Sequence, residues 1–425
     1  MLSNFRNLRN AVTAAMLVAA LGSVATAQTV VRADRMLDVE SGRIIQNAVV
    51  VIEDGRIQSV NPSTVPSGAI IDLGNVTLLP GFIDSHVHLT GDLEGDWFNR
   101  AVKETAADQA LRGARNARRT LLAGFTTVRN VGAGGFSDVS LMKAIDAGFV
   151  TGPRIVPAGH GLGVTGGHCD VTGYAPGIME LGPKDGVADG ADEVLLAVRY
   201  QIKHGAQVIK TCATAGVLSF EGPVGAQQYS EEELRAMVEE AARHGVKVAA
   251  HAHGTDGIKA AVRAGVASIE HGSMLDDEAI AMMKERGTYL VPTTYLADAI
   301  DLDVLPAPVR AKAESVLPLA KRSIEMAIAE DVKIAFGTDA AVFAHGDNAK
   351  EFGALVERGM SNIEAIRAAT LNASDLLGVD DRGRISEGTL ADIIAVPGNP
   401  LEDIRALETV VFVMKGGRVF KLPEE

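Results

Sequence analysis

The sequence predicts an α/β fold, a (β/α)8 TIM barrel with a small β-sandwich domain built from both ends of the chain. Strand-like and helical segments alternate through the middle of the 425 residues, histidines close several of these strands, and short strands with tight turns occupy both ends. Eight strands that alternate with helices over roughly 250 to 300 residues are typical of this barrel, whose active site lies at the C-terminal strand ends. A doubly wound open sheet is the alternative, but it would place a glycine-rich phosphate loop after its first strand, where this chain has two histidines.

Residues 1–27 have the pattern of a secretory signal peptide. Arg6 and Arg9 precede an apolar run at 11–21, and residues 25–27 form a small-x-small cleavage pattern. This run is too short for a stable membrane anchor, and no later run approaches the ~20 apolar residues of a transmembrane helix. An uncleaved N-terminal anchor is the alternative. We expect a mature chain that begins at Gln28 and is exported, periplasmic or secreted, without stable membrane association.

Composition limits the partners and the covalent framework. The hydrophobic content of 47% is enough for one large domain plus a small one. The net charge of −14 argues against nucleic acid or an anionic membrane as partner, because both need clustered basic residues. Cys169 and Cys212 are too few for a disulfide scaffold, and we expect both to be free and buried. The sequence leaves the formation of a homo-oligomer open.

The two ends of the mature chain are both rich in short strands. The predicted strands lie at 29–33, 48–53, 56–60, 392–396, 409–414 and 418–421. An Asp-Gly turn at 54–55 and a Gly-Gly turn at 416–417 separate neighbouring strands, which is a hairpin signal. We therefore predict one β-sandwich from residues 28–79 and 380–425, and a barrel from residues 80–379.

Eight strand-like runs make up the predicted barrel. The first ends in His86 and His88, and the other seven lie at 126–131, 154–158, 207–211, 247–253, 268–271, 289–294 and 333–339. Capping-box patterns, in which a serine is followed three residues later by a glutamate, begin two of the helices between them, at Ser230 and at Ser361. The middle of the chain thus has the alternation that a barrel requires.

Residues that could bind metal stand at the ends of five of these strands. Residues i and i+2 of a strand point to the same face, so His86 and His88 offer two imidazoles to one point in space. A pair of ordinary histidines in a turn is the alternative for this motif alone. The other four strand ends contribute Lys210, His251 with His253, His271 and Asp339. Because the strand ends of a barrel meet at one mouth, this distribution predicts a metal site there.

The pattern resembles the amidohydrolase superfamily over nearly the whole mature chain. The P-G-F-I-D-S-H-V-H run at 80–88, the strand-four lysine, the histidines of strands five and six and the G-T-D-A run at 337–340 stand in family order. A β-sandwich made from both termini is also a family feature. The runs T-G-G-H at 165–168, V-I-K at 208–210 and A-H-A-H-G at 250–254 resemble the imidazolonepropionase-like branch, which contains Xaa-Pro dipeptidases and ochratoxin-hydrolysing amidases.

The resemblance implies a binuclear metal centre. Lys210 would be carboxylated by CO2, and the resulting carbamate would bridge two divalent metal ions. A lysine that binds a substrate carboxylate is the alternative. The first metal would be held by His86, His88 and Asp339, and the second by His251 and His271. Zinc is the expected metal, because imidazole ligands in an open site suit it.

The implied reaction is metal-assisted hydrolysis of an amide bond. Two metals would activate a shared water and polarise the scissile carbonyl, and Asp339 would carry the proton from that water to the leaving amine. We expect His253 to contact the substrate or the oxyanion, and Tyr229 to hydrogen-bond the scissile carbonyl. We expect His168, together with Arg129, to meet a substrate carboxylate. A purely structural role is the alternative for each of these four residues.

The expected substrate is a small-molecule amide, namely a dipeptide or an N-acyl amino acid, with ochratoxin-type amides included. A lactonase or an imidazolonepropionase-like cyclic amide hydrolase would use the same metals. A deaminase of this fold would need a glutamate shortly after His251, and residues 252–255 contain none. The non-enzyme alternative is a metal-binding or sensor protein on an inactive barrel, which the complete ligand set disfavours.

Overall fold

The computed structural model describes residues 28–423, so the predicted signal peptide lies outside the described residues. The strands are β1 Thr29–Asp38, β2 Arg43–Glu53, β3 Arg56–Val60, β4 Ala69–Asp72, β5 Val76–Pro80, β6 Phe82–Val87, β7 Phe125–Asn130, β8 Arg154–Pro157, β9 Val208–Cys212, β10 Lys247–Ala252, β11 Ser268–His271, β12 Tyr289–Val291, β13 Ile393–Pro397, β14 Phe412–Lys415 and β15 Arg418–Lys421.

The α-helices lie mainly between the strands of the middle region. They are α1 Ala106–Leu122, α2 Ser137–Asp146, α3 Ala191–Lys203, α4 Glu231–Arg243, α5 Thr255–Ala264, α6 Asp277–Arg286, α7 Leu296–Ala299, α8 Ala307–Ala329, α9 Lys350–Glu357, α10 Asn362–Arg367 and α11 Ala373–Leu377. A π-helical turn, Ala368–Asn372, joins α10 to α11. None of the helices within residues 28–423 is long and apolar enough to cross a membrane.

Strands from both ends of the chain form one eight-stranded sheet. Its order is β15-β14-β13-β5-β1-β2-β3, with β4 beside β1. Antiparallel pairing of β5 with β13 joins the two ends, and the sheet has its own apolar core. Hydrogen bonding makes these strands one continuous sheet, because the 10 residues of β1 pair with β2, β4 and β5. The folding of this sheet into a sandwich stays a prediction.

The turns of this sheet are those that the sequence predicts. Asp54 and Gly55, between β2 and β3, have φ of 51° and 76°, and Gly416 and Gly417, between β14 and β15, have φ of 55° and 77°. Two successive left-handed residues make the tight turn that matches the twist of paired strands. The domain boundaries at residues 79/80 and 379/380 stay a prediction.

Parallel strands occupy the middle of the chain. One sheet has the order β6-β7-β8 and a second the order β12-β11-β10-β9. The predicted eighth strand at 333–339 is not a regular strand, since only isolated bridges pair Ile334 with Leu290 and Ala340 with Val87. Its extended course ends at Asp339, where φ is 57°. β12 is likewise shorter than predicted, because it is followed by Pro292, which has no N–H to donate.

Several backbone hydrogen bonds cross the edges of the two parallel sheets. The N–H of Leu162 donates to the carbonyl of Lys210, that of Leu290 to Lys333, and that of Ser85 to Phe336, each at 2.8 Å. The assigned sheets themselves are open. The structure therefore shows an α/β arrangement of parallel strands with a β domain, and closure into an eight-stranded barrel stays a prediction.

Both predicted capping boxes are confirmed, with Ser230 and Ser361 each accepting a hydrogen bond from the backbone N–H three residues later.

Beneath the helices, an aromatic cluster joins the first strand of the middle region to its last segment. Phe82 of β6 and Phe336 both contact Phe352, with ring centroids 4.9 Å and 4.4 Å apart. The two segments that carry His86 and Asp339 are thus packed together through one rigid core.

Candidate active site

Two groups of ligating side chains lie side by side at the C-terminal ends of the parallel strands. Within each group the candidate ligand atoms all lie within 4.8 Å of one another, and the groups are His86, His88, Asp339 and His251, His253, His271. The rings of His86 and His271 have centroids 5.0 Å apart, so the two groups adjoin. His253 belongs to the second group, although the predicted role of this histidine is contact with the substrate or the oxyanion.

The backbone is bent where it presents two of these residues. His271 has φ of 71° and Asp339 has φ of 57°, a left-handed conformation that non-glycine residues rarely adopt. The Asp339 N–H donates to the His86 carbonyl at 2.7 Å, which fixes the bend. Gly337 leaves room for it, because a Cβ there would lie 2.9 Å from the His86 Cβ. Backbone strain of this kind clusters at functional sites.

Hydrogen bonds at Nδ1 orient four of the five histidine rings. The partners are Glu270 for His86 (2.7 Å), the Gly132 carbonyl for His88 (3.2 Å), Ser273 for His253 (2.7 Å) and Thr293 for His271 (2.8 Å). A ring that uses Nδ1 in this way keeps Nε2 for a metal or a substrate. The Nε2 of His251 is buried and has no hydrogen-bond partner among residues 28–423.

Glu270 is a functional residue that the sequence reasoning missed. Its carboxylate is fully buried and bridges His86 Nδ1 to the Arg129 guanidinium, at 2.7 Å and 2.8 Å. A carboxylate behind a metal-binding histidine fixes the ring and strengthens its basicity. The signal was present in the sequence, since a glutamate one residue before His271 sits inside a buried strand.

The structure corrects the prediction for Arg129. Its side chain is 3% exposed, and the guanidinium donates hydrogen bonds to the Ser85 carbonyl, to Ser268 and to Glu270. It does not line the cavity. A buried arginine needs such partners, and the partner Glu270 is 141 residues away in sequence.

The prediction for Tyr229 is also wrong. The ring is fully buried, and its hydroxyl donates to the Ala188 carbonyl at 3.0 Å. It does not line the cavity either, so it cannot reach a scissile carbonyl there. The residue just before the Ser230 cap packs into the apolar core, where a tyrosine needs a partner for its hydroxyl.

The two cysteines are not free, contrary to expectation. Cys169 and Cys212 form a disulfide, which ties the loop after β8 to the end of β9. Gly161 permits the close approach, because a Cβ there would lie 2.9 Å from the Cys169 sulfur. The two cysteines are 43 positions apart in sequence, which gives no local spacing signal, and the contact arises from tertiary structure.

Burial holds the histidines in the neutral form that binds metal. Desolvation, with the Lys210 charge as a second cause, lowers the pKa of His86 well below 6.5 and that of His88 to about 4. Desolvation first and the neighbouring His168 second lower the pKa of His253 to about 3. Burial raises the pKa of Asp339 to about 7. Imidazole nitrogens with a carboxylate are a donor set that suits zinc, so the residues present fit divalent metal ions.

Lys210 lies within electrostatic reach of both groups. Its side chain is buried, it lines the same cavity, and its charge lowers the pKa of His86 in one group and of His271 in the other. Burial lowers the pKa of Lys210 itself to about 8, although Glu270 and Asp339 oppose that effect. A lysine is thus placed among candidate ligands with little solvent to stabilise its positive charge.

A cavity of about 700 Å³ opens over the two groups, a size typical of small-molecule sites. One wall is apolar and comes mostly from one face of α8 and from nearby loops, with Val217, Leu218, Leu296, Ile300, Val316, Leu317 and Ile324. Arg100 and Arg112 line another part, but each is paired with a carboxylate, Asp92 and Glu104 respectively. His168 also lines the cavity, and its ring stacks on that of His251 with the ring centroids 4.2 Å apart. Its contact with a substrate carboxylate stays a prediction.

Comparison with known proteins identifies the family. The amidohydrolase family matches residues 77–420. Ochratoxinase from Aspergillus niger is 36% identical over 412 residues, which cover 90% of this chain and 84% of that enzyme. A crystal structure of a Xaa-Pro dipeptidase with methionine bound in its active site is 40% identical, with a TM-score of 0.88 and coverage of 93% of this chain and 100% of that one. A prolidase complexed with N-methylphosphonate-L-proline is 34% identical, with a TM-score of 0.85 and coverage of 93% and 100%.

The chain belongs to the amidohydrolase family, and it is a hydrolase that acts on amide bonds. The predicted resemblance to the branch with Xaa-Pro dipeptidases and ochratoxin-hydrolysing amidases is thereby confirmed. Members of the family generally bind divalent metals, in agreement with the two groups of ligating side chains described above.

Glu270→Gln should weaken zinc binding at the His86 group by roughly 10- to 100-fold, because the ring loses the carboxylate that orients it. Competition with a chromophoric chelator measures the affinity. Glu232→Gln is the control, since Glu232 is exposed on α4, and circular dichroism checks the fold because Arg129 also loses its partner. An unchanged zinc affinity in a folded Glu270→Gln protein would contradict the assignment.

Acid should destabilise the metal-free protein through His253. Its folded-state pKa of about 3 lies below the unfolded value of 6.5, so the unfolded chain binds the extra proton between these values and stability is lost as pH falls below 6.5. The loss approaches about 1.4 kcal/mol per pH unit. Urea unfolding at pH 7.5, 6.0 and 5.0 should show a shallower decline for His253→Gln than for the wild type. An equal fall in the free energy of unfolding for both proteins would contradict the contribution of His253.

Proposed function

We propose that the protein is an exported, binuclear zinc amidohydrolase that cleaves the amide bond of a dipeptide or an N-acyl amino acid. One observation carries the proposal, namely that two groups of ligating side chains adjoin at the buried Lys210, inside a cavity with an apolar wall. The fold that we propose with it is a closed (β/α)8 barrel, which the hydrogen bonds of Leu162, Leu290 and Ser85 across the sheet edges support.

In this proposal Lys210 is carboxylated. The buried ammonium first loses one proton to become the free amine, whose nitrogen then bonds to the carbon of CO2 and loses a second proton. The product is a carbamate anion with two oxygens. Such an anion fits a position between two groups of neutral histidines better than an ammonium does, because it supplies the negative charge that two divalent ions require. His86, His88 and Asp339 would hold one ion, and His251 and His271 would hold the other. Zinc bound there would acidify a water molecule and polarise the scissile carbonyl.

The protein's own side chains then handle the proton and the developing charge. The Asp339 carboxylate lies 3.6 Å from His86 Nε2 and 3.5 Å from His88 Nε2, and it takes a proton from the attacking water and delivers it to the leaving amine. His253, whose Nδ1 is occupied by Ser273, uses Nε2 to stabilise the negative oxygen of the transition state. The surrounding burial strengthens both interactions.

The cavity wall supports a substrate with an apolar group. The face of α8 with Val316, Leu317 and Ile324 offers contact to an apolar side chain or acyl group, and His168 lies on the same cavity to meet a substrate carboxylate. The Xaa-Pro dipeptidase with bound methionine supports an amino-acid moiety, and the ochratoxinase supports the inclusion of ochratoxin-type amides. The proposed partners are small molecules only, with homo-oligomer formation left open by the described residues.

A hydrolysis screen of dipeptides and N-acyl amino acids, with zinc and bicarbonate supplied, tests the function. The wild type should hydrolyse at least one of these amides, and Lys210→Ala should lower kcat by about 10³-fold or more. Short carboxylic acids at high concentration should partly restore the activity of this variant. Lys103→Ala, at an exposed site, is the control. A Lys210→Ala enzyme with an unchanged metal content, a modest fall in kcat and a raised KM would show that Lys210 binds substrate instead.

Export is part of the proposal, and two features support it. The basic residues Arg6 and Arg9 precede an apolar run, and the Cys169–Cys212 disulfide suits an oxidising compartment. The protein purified from its native host should begin at Gln28 and come from the periplasm or the medium. Intact mass spectrometry that finds Met1 on a cytosolic species would contradict export.

A further inference from the structure

His168 belongs to a chain of hydrogen bonds that begins at the cavity and ends on a buried carboxylate. Its Nδ1 lies 2.6 Å from the Ser219 hydroxyl and 3.3 Å from Glu221 Oε1. The Ser219 hydroxyl donates to the same Glu221 oxygen at 2.5 Å. Because Ser219 uses its only proton on Glu221, its oxygen accepts from His168, and Nδ1 is therefore the protonated nitrogen.

From this geometry we infer that Glu221 is a positioning residue of the active site, which holds His168 with Nδ1–H toward Ser219 and Nε2 toward the carboxylate of the amide substrate. The inference rests on the proposed function for the identity of that substrate. The orientation of the His168 ring is independent of the proposed function, because the hydrogen bonds fix it.

The surroundings of Glu221 keep its carboxylate buried and negatively charged. Its side chain is 5% exposed, and Oε1 accepts from Ser219 and from the Gly216 N–H at 2.9 Å. Burial alone would raise its pKa, but hydrogen bonds, led by that of His168, lower it to about 2. A hydrogen bond to an ionised carboxylate is stronger than one to a neutral group, so the charge of Glu221 holds the Ser219 hydroxyl, and through it the His168 ring, in place.

The loop that carries Glu221 is shaped around the His168 ring. A Cβ at Gly216 would lie 2.2 to 2.5 Å from three atoms of the ring, so only glycine leaves space for it. Lys312 of α8 fastens the loop, since its ammonium donates to the carbonyls of Glu221 at 2.6 Å, Ser219 at 3.0 Å and Gly216 at 3.4 Å. Loop and ring are therefore fixed relative to each other.

Three further contacts hold His168 from its own side. The ring stacks on His251, and the next residue, Cys169, is tied to Cys212 at the end of β9. The backbone N–H of His168 also donates to Gln228 Oε1 at 3.1 Å. Backbone and ring are thus constrained independently, which is the preorganisation that a substrate-binding group needs. What Glu221 adds is the choice of nitrogen that faces the cavity.

Kinetics of Glu221→Gln test the inference, with N-acetyl-L-phenylalanine and its C-terminal carboxamide as probes. The variant keeps the size of the side chain and removes its charge. KM for the free acid should rise roughly 10- to 100-fold with a much smaller change in kcat, whereas the carboxamide should be hardly affected. Glu232→Gln, at an exposed site on α4, should match the wild type for both probes. Equal losses for the acid and the carboxamide would overturn the inference.

Nitrogen NMR of 15N-histidine-labelled protein tests the orientation without any activity. His168→Gln assigns the two ring resonances, and in the wild type Nδ1 should show the shift of a protonated nitrogen. Glu221→Gln should move the His168 resonances, and Glu232→Gln should not. Unchanged His168 resonances in a folded Glu221→Gln protein would overturn the positioning role.

Gly216→Ala provides a second variant in which the carboxylate stays intact. It should displace the His168 ring and raise KM for the free acid selectively, as Glu221→Gln does, and a wild-type KM would count against the inference. If the wild type hydrolyses no amide, the proposed function fails, while the NMR comparison still decides whether Glu221 positions His168. The two failures are therefore distinguishable.

Discussion

The burial of Lys210 among histidines is the constraint on which the rest of the site depends. An ammonium group that leaves water loses several kcal/mol of hydration, and its neighbours must compensate for that loss. Asp339 and Glu270 lie within electrostatic reach, while the nearby histidines stay neutral because they are buried too. In the proposed function, conversion of the amine into a carbamate anion beside two divalent cations would remove this conflict.

Holding the candidate metal ligands in place lowers the stability of the folded protein. Left-handed backbone at His271, Thr293 and Asp339 costs on the order of 1 kcal/mol or more for each residue. Specific contacts maintain it, such as the hydrogen bond between His271 Nδ1 and Thr293 and the Asp339 N–H bond to the His86 carbonyl. Ligand rings aimed by carboxylates, hydroxyls and carbonyls need little rearrangement when a metal binds. This preorganisation explains why so many polar groups are buried at one end of the parallel strands.

The alternation of parallel strands with helices and most of the cavity-lining candidates could be predicted from the sequence, because strand periodicity places them. His86, His88, His251 and His271 close strands, and the ends of parallel strands point to one mouth. The roles of Tyr229 and Arg129 could not be predicted, since the direction of a side chain depends on partners that are distant in sequence. The disulfide and the contacts of Glu270 could not be predicted for the same reason, because they also join residues that are distant in sequence. Glu221 shows no local motif either, and its contact with His168 joins residues 53 positions apart through two loops.

We propose that a carboxylated Lys210 joins a pair of metal ions in this site. A crystal structure of the protein prepared with zinc and bicarbonate, with anomalous data collected at the zinc edge, measures this directly. We expect two anomalous peaks per chain, one at His86, His88 and Asp339 and one at His251 and His271, with carbamate density that extends Lys210 Nζ toward both. A single peak beside an unmodified Lys210 amine, in crystals of fully active enzyme, would contradict the claim.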